Sequence, residues 1–225
     1  MRGVLDGVRV LDLSWGVAGP IAGMLLADQG ADVVKIEPPG GDPFRALSGY
    51  RVWQRGKRSV VLDLASAAGR EDFVRLADDA DVVLESYAPG TTARLGIDFD
   101  TLHARNPRLV YCSITGYGRG TRDGDRPAYD ALVAARTGLQ WEQRGWVGGT
   151  IPRMCGIDPM LPELHVPDGC AEGPDRAGPL FSHSTWPSLA ACFLATTGSA
   201  RRCACASRPV AASGWRRRCC RACSR

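Results

Sequence analysis

The sequence predicts an α/β fold with a Rossmann-like, doubly wound and mostly parallel sheet. Short β-branched apolar runs alternate with helical segments up to about residue 140, and turns rich in Gly or Pro separate them. The first unit is a strand over 8–13, a turn, a helix over 21–29 and a strand over 32–37. Its length is typical of a right-handed parallel crossover. Ligands of such folds bind beyond the carboxyl ends of the strands.

The same alternation continues downstream. It predicts strands over 59–64, 81–85 and 109–114, and helices over 65–77, 91–95, 99–105 and 129–139. Residues 140–180 are rich in Gly and Pro, which predicts a loop region, and 186–198 are predicted as a buried helix. We expect one domain over 1–198. An irregular, disordered Arg/Cys-rich tail is expected over 199–225, where we find no amphipathic period.

Charge and cysteine usage narrow the functional class. The net charge of +4 conceals two parts, because eight arginines and no acidic residue lie after residue 200, and residues 1–200 carry about −4.

Nine cysteines without an apolar leader do not make a disulfide framework, and no apolar run is long enough to span a bilayer. Cys220-x-x-Cys223 is half a zinc ribbon. We expect a cytoplasmic protein without nucleic-acid, membrane or metal ligands.

The turn after the first strand allows two interpretations. A strand, a glycine turn, a helix and a second strand ending at Glu37 are typical of a dinucleotide-binding fold. However, Gly16-x-x-Gly19-Pro20 lacks the Gly-x-Gly-x-x-Gly spacing that lets the backbone approach a pyrophosphate. A tight strand-to-helix turn accounts for these glycines equally well. An NAD-binding Rossmann protein is therefore the weaker alternative.

An ordered set of motifs carries a more specific resemblance. In chain order the motifs occupy 5–12, 18–20, 26–42, 57–59, 79–90, 94–96, 106–110, 113–118 and 126–130. Together they resemble the opening of family III (CaiB/BaiF-type) CoA-transferases, over residues 5 to about 198. The resemblance implies an incomplete large domain that takes coenzyme A or acyl-CoA as substrate, with no permanently bound cofactor. It implies transfer of CoA between an acyl-CoA thioester and a carboxylic acid.

The resemblance also implies which residues contact coenzyme A. They are Gly16, Val17, Ala18, Leu62, Ser86, Tyr87 and Arg94. Arg94 can pair with phosphate in a charge-assisted fork, and Tyr87 can lie against an adenine face. A surface arginine and a core tyrosine are the alternative interpretation of the same two residues. Pro38 stands where the family can place an arginine, so one phosphate partner is missing.

The catalytic aspartate of the family has no counterpart at its expected position. In the implied mechanism an aspartate attacks the thioester, which gives an acyl-aspartyl anhydride and then an aspartyl-CoA thioester. Counting back from Gly198 places Ser188 there, and its hydroxyl cannot replace a carboxylate. A helix-capping role explains Ser188 at least as well. Asp130 is a second candidate. We expect that the chain binds coenzyme A without the usual mechanism, and a non-catalytic coenzyme-binding remnant is the alternative.

A racemase branch of the fold gives one more alternative. There a histidine precedes the aspartate that corresponds to Asp130, whereas this chain has Tyr129. A racemase needs an acid and a base on opposite faces of the α-carbon, and tyrosine serves poorly at neutral pH. An α-methylacyl-CoA racemase-like activity therefore ranks below CoA transfer.

The tail is compatible with a shifted reading frame. Back-translation of 208–225 with permitted codons, read one base out of frame, can spell Thr-Gly-Arg-Gly-Gln-Trp-Val-Glu-Thr-Ser-Leu-Leu-Gln-Gly, which resembles the family's next segment. The nearly fixed codons of Trp215, Cys219 and Cys220 produce the valine and the two leucines. We therefore expect a one-base frameshift near residues 198–199 and a truncated chain. Family members form interlocked homodimers, which a truncated protomer is not expected to assemble.

Overall fold

A computed structural model describes residues 3–118, 120–126, 128–139 and 185–206. Within these ranges five parallel strands form one sheet in the order β3-β2-β1-β4-β5. The strands are β1 (Arg9–Asp12), β2 (Asp32–Glu37), β3 (Arg58–Val61), β4 (Val82–Glu85) and β5 (Val110–Ser113). The predicted α/β fold with a parallel sheet is confirmed.

The described helices are α1 (Ala18–Asp28), α2 (Tyr50–Trp53), α3 (Ala67–Asp78), α4 (Thr91–Leu95), α5 (Phe99–Arg105), α6 (Asp130–Arg136) and α7 (Trp186–Ala206). Helices α1 to α5 lie between the strands in the chain order, and α6 and α7 come after β5. Helix α1 begins three residues before its predicted start, and Pro20 fits inside its first turn because an amide there has no intrahelical partner. In the described part of the chain, no helix is both long and apolar enough to cross a bilayer.

The chain divides into two compact units. One comprises residues 1–126 together with 188–225, and the other comprises residues 127–187. The first unit contains the sheet and helices α1 to α5, and the second contains α6. The loop region predicted over 140–180 lies entirely outside the described residues.

Both faces of the sheet are covered by helices, which makes the sheet doubly wound. On one face, Phe73 of α3 and Leu102 of α5 pack against Leu11 and Val83. On the other face, Ala22 of α1 and residues of α7 pack against Leu84. Successive strand residues point to opposite faces, so the apolar runs of the central strands supply both cores.

Helix α7 continues eight residues beyond its predicted end at Gly198. Cys192, Ala195 and Ser199 are buried, and Cys203 packs against the cluster around Val10. These positions follow one another at intervals of three and four residues, so they lie on one face of the helix. The prediction of an irregular tail is therefore wrong for residues 199–206, because this small-residue stripe was not recognised as a helical period. Residues 207–225 lie outside the described residues.

Candidate functional site

The sequence-predicted residues of the segments after β1 and β4 lie at the carboxyl edge of the sheet, where the strand order reverses. The chain adds β2 and β3 on one side of β1, and then β4 and β5 on the other. In such sheets a crevice opens beyond the two strands at this switch point, because their connections leave in opposite directions. The turn after β1 contains Gly16 and Val17, and the loop after β4 contains Ser86 and Tyr87.

The turn after β1 and the loop after β4 are joined by hydrogen bonds. The Trp15 N–H donates to Ser86 Oγ at 2.8 Å, and the Ser86 hydroxyl donates to the Trp15 carbonyl at 3.0 Å. The Trp15 and Tyr87 rings meet edge to face, with centroids 5.3 Å apart and planes at 80°. The structure thus brings the predicted residues of these two segments together.

Gly16 gives the turn a conformation that favours glycine. Its φ is +80°, in the left-handed region. A Cβ built on Gly16 would have no described atom within 4 Å, so the backbone borders open space. Val17 precedes α1 and lacks a capping side chain, and Ala18 is the first helical residue. The first-turn amides of α1 therefore have no side-chain cap at this end.

Tyr87 is half-buried beside acidic side chains. Burial raises the pKa of its hydroxyl to about 12, and the negative charges of Glu85, Asp12 and Asp42 act in the same direction. The hydroxyl is therefore neutral at physiological pH. Leu62, which follows β3, packs on the same hydrophobic cluster as Tyr87.

Three further sequence-predicted residues lie on helices rather than in the two segments after β1 and β4. Arg94 is exposed on α4, with its guanidinium 3.4 Å from Thr91 Oγ1. Ser188 is half-buried within the first turn of α7, two residues after Trp186. The helix starts before Ser188 because Pro187 is tolerated in a first turn. Asp130 is the first residue of α6, in the other unit, after an exposed Tyr129.

A buried ion pair that the sequence analysis missed lies behind the turn. Asp12 ends β1, and its Oδ2 is 2.7 Å from Lys57 Nζ, with both side chains almost fully buried. Lys57 Nζ also donates to the Pro20 carbonyl at 2.9 Å. Asp12 Oδ1 accepts the Ser14 N–H at 2.9 Å and a second bond from the Ser14 hydroxyl. The pair thus ties the turn and α1 to the end of β1.

A second buried lysine extends this network to the loop after β2. Lys35 Nζ donates to the Ser14 carbonyl and lies 3.2 Å from Asp42 Oδ2. Burial raises the pKa of Asp12, but the positive charges of Lys57 and Lys35 outweigh it, so the pKa lies below its ordinary value. Asp12 is therefore ionised inside the protein.

Two glycines of α1 leave the space that this network occupies. A Cβ on Gly23 would lie 2.6 Å from Asp12 Oδ2 and 2.9 Å from Lys57 Nζ, and a Cβ on Gly19 would lie 2.1 Å from Ser14 Cβ. Sequence signals for the network exist, because Asp12 and Lys35 interrupt apolar strand runs. The second signal is the pair Gly19 and Gly23, which lie four residues apart on one face of α1 and indicate that another group packs closely there.

Comparison with known proteins identifies the family. The profile of CoA-transferase family III matches residues 5–168. The Mycobacterium tuberculosis protein named "Probable fatty acyl-CoA transferase Rv3272" is 44% identical over 146 residues, which are 60% of this chain and 37% of that protein. Succinate–glutarate CoA-transferase of Agrobacterium fabrum is 42% identical over 151 residues, 60% of this chain and 38% of the relative.

A solved structure agrees with the sequence match. A CAIB/BAIF family protein from Brucella suis superposes with a TM-score of 0.70 at 28% identity, over 90% of this chain and 49% of that one. The chain spans about two fifths of the length of the curated relatives named above. The family profile covers well over half of the residues, and the parallel sheet has the expected form. The chain therefore belongs to CoA-transferase family III.

Proposed function

We propose that this chain binds coenzyme A at the carboxyl edge of the sheet, between the segments that follow β1 and β4. The observation that carries this proposal is the pair of hydrogen bonds between the Trp15 backbone and the Ser86 hydroxyl. They hold the turn against the loop at the switch point, where α/β sheets bind nucleotides. A preorganised turn loses little conformational entropy when a ligand binds.

The segments around this turn offer partners for a phosphate and for adenine, and the family resemblance adds Leu62 and Arg94. The open backbone at Gly16 and the first-turn amides of α1 suit a phosphate. The Trp15 indole Nε1 is buried and has no hydrogen-bond partner among the described residues, so it is a donor that a ligand can satisfy. The aromatic faces of Trp15 and Tyr87 suit adenine, Leu62 offers apolar contact and Arg94 a further phosphate partner. Family membership favours coenzyme A over a dinucleotide.

The activity we propose for the whole protein is CoA transfer between an acyl-CoA and a carboxylic acid. It rests on membership of CoA-transferase family III and on the names of the relatives. A carboxylate attacks the thioester carbon, the C–S bond breaks, and CoA leaves as the thiolate. The thiolate then attacks the enzyme's own carbonyl in the mixed anhydride and displaces the acyl group as a free carboxylate.

The carboxylate in that step cannot come from residue 188, which is a serine. We propose Asp130, an acidic residue within the family motif at 126–130, as the candidate; if Asp130 does not supply it, the chain binds coenzyme A without the usual mechanism, as the sequence predicts. Mass spectrometry after incubation with acyl-CoA and then hydroxylamine tests this proposal. A hydroxamate on Asp130, lost in Asp130→Asn, would support it. An adduct on Ser188, or none on any carboxylate, would contradict it.

We also propose that a one-base frameshift precedes the tail, on the strength of the back-translation of 208–225 alone. Sequencing the locus through and beyond codon 198 tests this idea. A family-like overlapping frame after codon 198 is the expected result. An open frame through codon 225 with no such overlap would remove the proposal.

Thermal-shift titration tests the binding proposal. Coenzyme A should raise the melting temperature in a saturable manner, because a ligand that binds only the folded state stabilises it. Pantetheine, which lacks the nucleotide, is the matched control and should produce a much smaller shift. No shift with coenzyme A, or equal shifts with both compounds, would contradict a nucleotide-binding turn.

A further inference from the structure

Lys35 is a buried lysine in the interior of a parallel sheet. It lies in β2 between Val34 and Ile36, and its side chain is only 2% exposed. Burying an ammonium group is unfavourable unless partners compensate for the lost water, and an apolar side chain of similar volume often serves stability equally well. A contribution to stability alone therefore does not explain why a lysine occupies this position.

Two contacts account for the buried ammonium group. Lys35 Nζ donates to the Ser14 carbonyl, and it lies 3.2 Å from Asp42 Oδ2, whose side chain is 1% exposed. Ser14 belongs to the turn after β1, and Asp42 belongs to the loop after β2. One cation thus joins two segments at the carboxyl edge of the sheet. An apolar side chain could not make either contact.

Lys35, which belongs to β2, holds the turn by its hydrogen bond to the Ser14 carbonyl. On the other side, Ser86 bonds to both the N–H and the carbonyl of Trp15, the next residue. Gly16 follows immediately, with its backbone bordering open space. The turn is therefore fixed between Lys35 and Ser86. Asp12 also bonds to the N–H and the hydroxyl of Ser14, so loss of Lys35 or Ser86 would loosen the turn without releasing it completely.

We infer that Lys35 is a positioning residue, which fixes the turn over residues 14–16 and thereby sets the affinity for coenzyme A. It acts through the Ser14 carbonyl and Asp42, without touching the ligand. This inference rests on the proposed function, and it adds a residue that lies behind the site rather than in it.

The test compares Lys35→Met with Val33→Ala. Val33 is a buried residue of the same strand near its amino end, so its substitution lowers stability without touching the turn. Two quantities are measured in each variant. They are the dissociation constant for coenzyme A by calorimetry and the hydrogen exchange of the Trp15 amide relative to amides of β1.

Lys35→Met should weaken coenzyme binding about tenfold, which corresponds to about 1.4 kcal/mol, and should accelerate exchange at Trp15. Val33→Ala should leave both quantities unchanged. Unchanged affinity and exchange in Lys35→Met would overturn the inference. Equal losses in the two variants would also overturn it, because they would indicate general instability.

Two further arms keep the test decisive. If Lys35→Met does not fold, Asp42→Asn removes the carboxylate partner and keeps the ammonium group. This milder variant should show faster exchange at Trp15 and a smaller loss of affinity, and wild-type behaviour would overturn the inference. If the unmodified chain binds no coenzyme A, the proposed function and the affinity claim fail together. The exchange comparison then still decides whether Lys35 fixes the turn.

Discussion

The Ser86 hydroxyl bonds to both polar groups of the Trp15 backbone, accepting the N–H at 2.8 Å and donating to the carbonyl at 3.0 Å. These residues are 71 positions apart, so the bonds form only when β1 and β4 are adjacent. The candidate site therefore depends on formation of the sheet. Changes at this contact should affect stability and ligand binding together.

Replacement of Ser86 by alanine removes both bonds. Two backbone groups then lose their partner in a half-buried place, and the free energy of unfolding should fall by about 1–3 kcal/mol. Affinity for coenzyme A should fall about tenfold, which corresponds to about 1.4 kcal/mol, because the turn loses its anchor on the β4 side. Urea denaturation and calorimetry measure the two effects. Ser59→Ala, at an exposed position on β3, should stay within about 0.5 kcal/mol of the parent.

Tyr87 should ionise later than an ordinary tyrosine. Burial and the charge of Glu85 raise its pKa from 10.0 to about 12. Its contribution to stability is therefore fully present below the unfolded-state pKa of about 10, and it is lost as the pH rises through about 12. Absorbance titration of tyrosinate in the native protein measures this directly. Tyr87 should remain largely protonated at about pH 11, and its late step should disappear in Tyr87→Phe.

A single native step near the ordinary tyrosine pKa, with all five side chains titrating together, would contradict this assignment. The stability of Tyr87→Phe should also decline less steeply than that of the parent above about pH 10.

Gly23 should not tolerate alanine. The new Cβ would lie 2.6 Å from Asp12 Oδ2 and 2.9 Å from Lys57 Nζ, so the buried ion pair would have to shift to make room for it. We expect a loss of about 1–3 kcal/mol in the free energy of unfolding, measured by denaturant titration, although alanine is the better helix former. A gain in stability would show that α1 sits farther from β1 than the structure places it.

Gly198 should behave in the opposite way. It lies inside α7, and a Cβ there would meet no described atom within 4 Å. Gly198→Ala should therefore stabilise the protein by about 0.5–1 kcal/mol, because alanine loses less backbone entropy than glycine in a helix. Thermal unfolding followed by circular dichroism measures the change. A loss of stability would indicate that the helix ends near residue 198 and that the following residues are irregular.

The short elements at the carboxyl edge were predictable because their limits are encoded locally. Helix α4 has its predicted bounds, since Gly90 and Gly96 flank it in left-handed conformations, with φ of +78° and +66°. Strand β2 also has its predicted bounds, where a glycine precedes it and two prolines follow it.

The buried charge network was not predictable in the same way. Asp12 and Lys57 are 45 residues apart, and only the packing of α1 over β1 and the β2–β3 connection brings them together. A charged residue inside an apolar strand signals that a partner exists but not which one. Helix α7 was underestimated for a different reason, because its buried stripe beyond Gly198 consists of small residues that carry a weak apolar signal.

The most direct test of the binding site is a hydrogen-exchange footprint of coenzyme A on the intact chain. The proposal predicts saturable protection of the amides of residues 15–18, together with those of Ser86 and Tyr87, and little change at the amino ends of the strands. Saturable binding with protection elsewhere, or no protection at saturating coenzyme A, would contradict a site at the β1–β4 crevice.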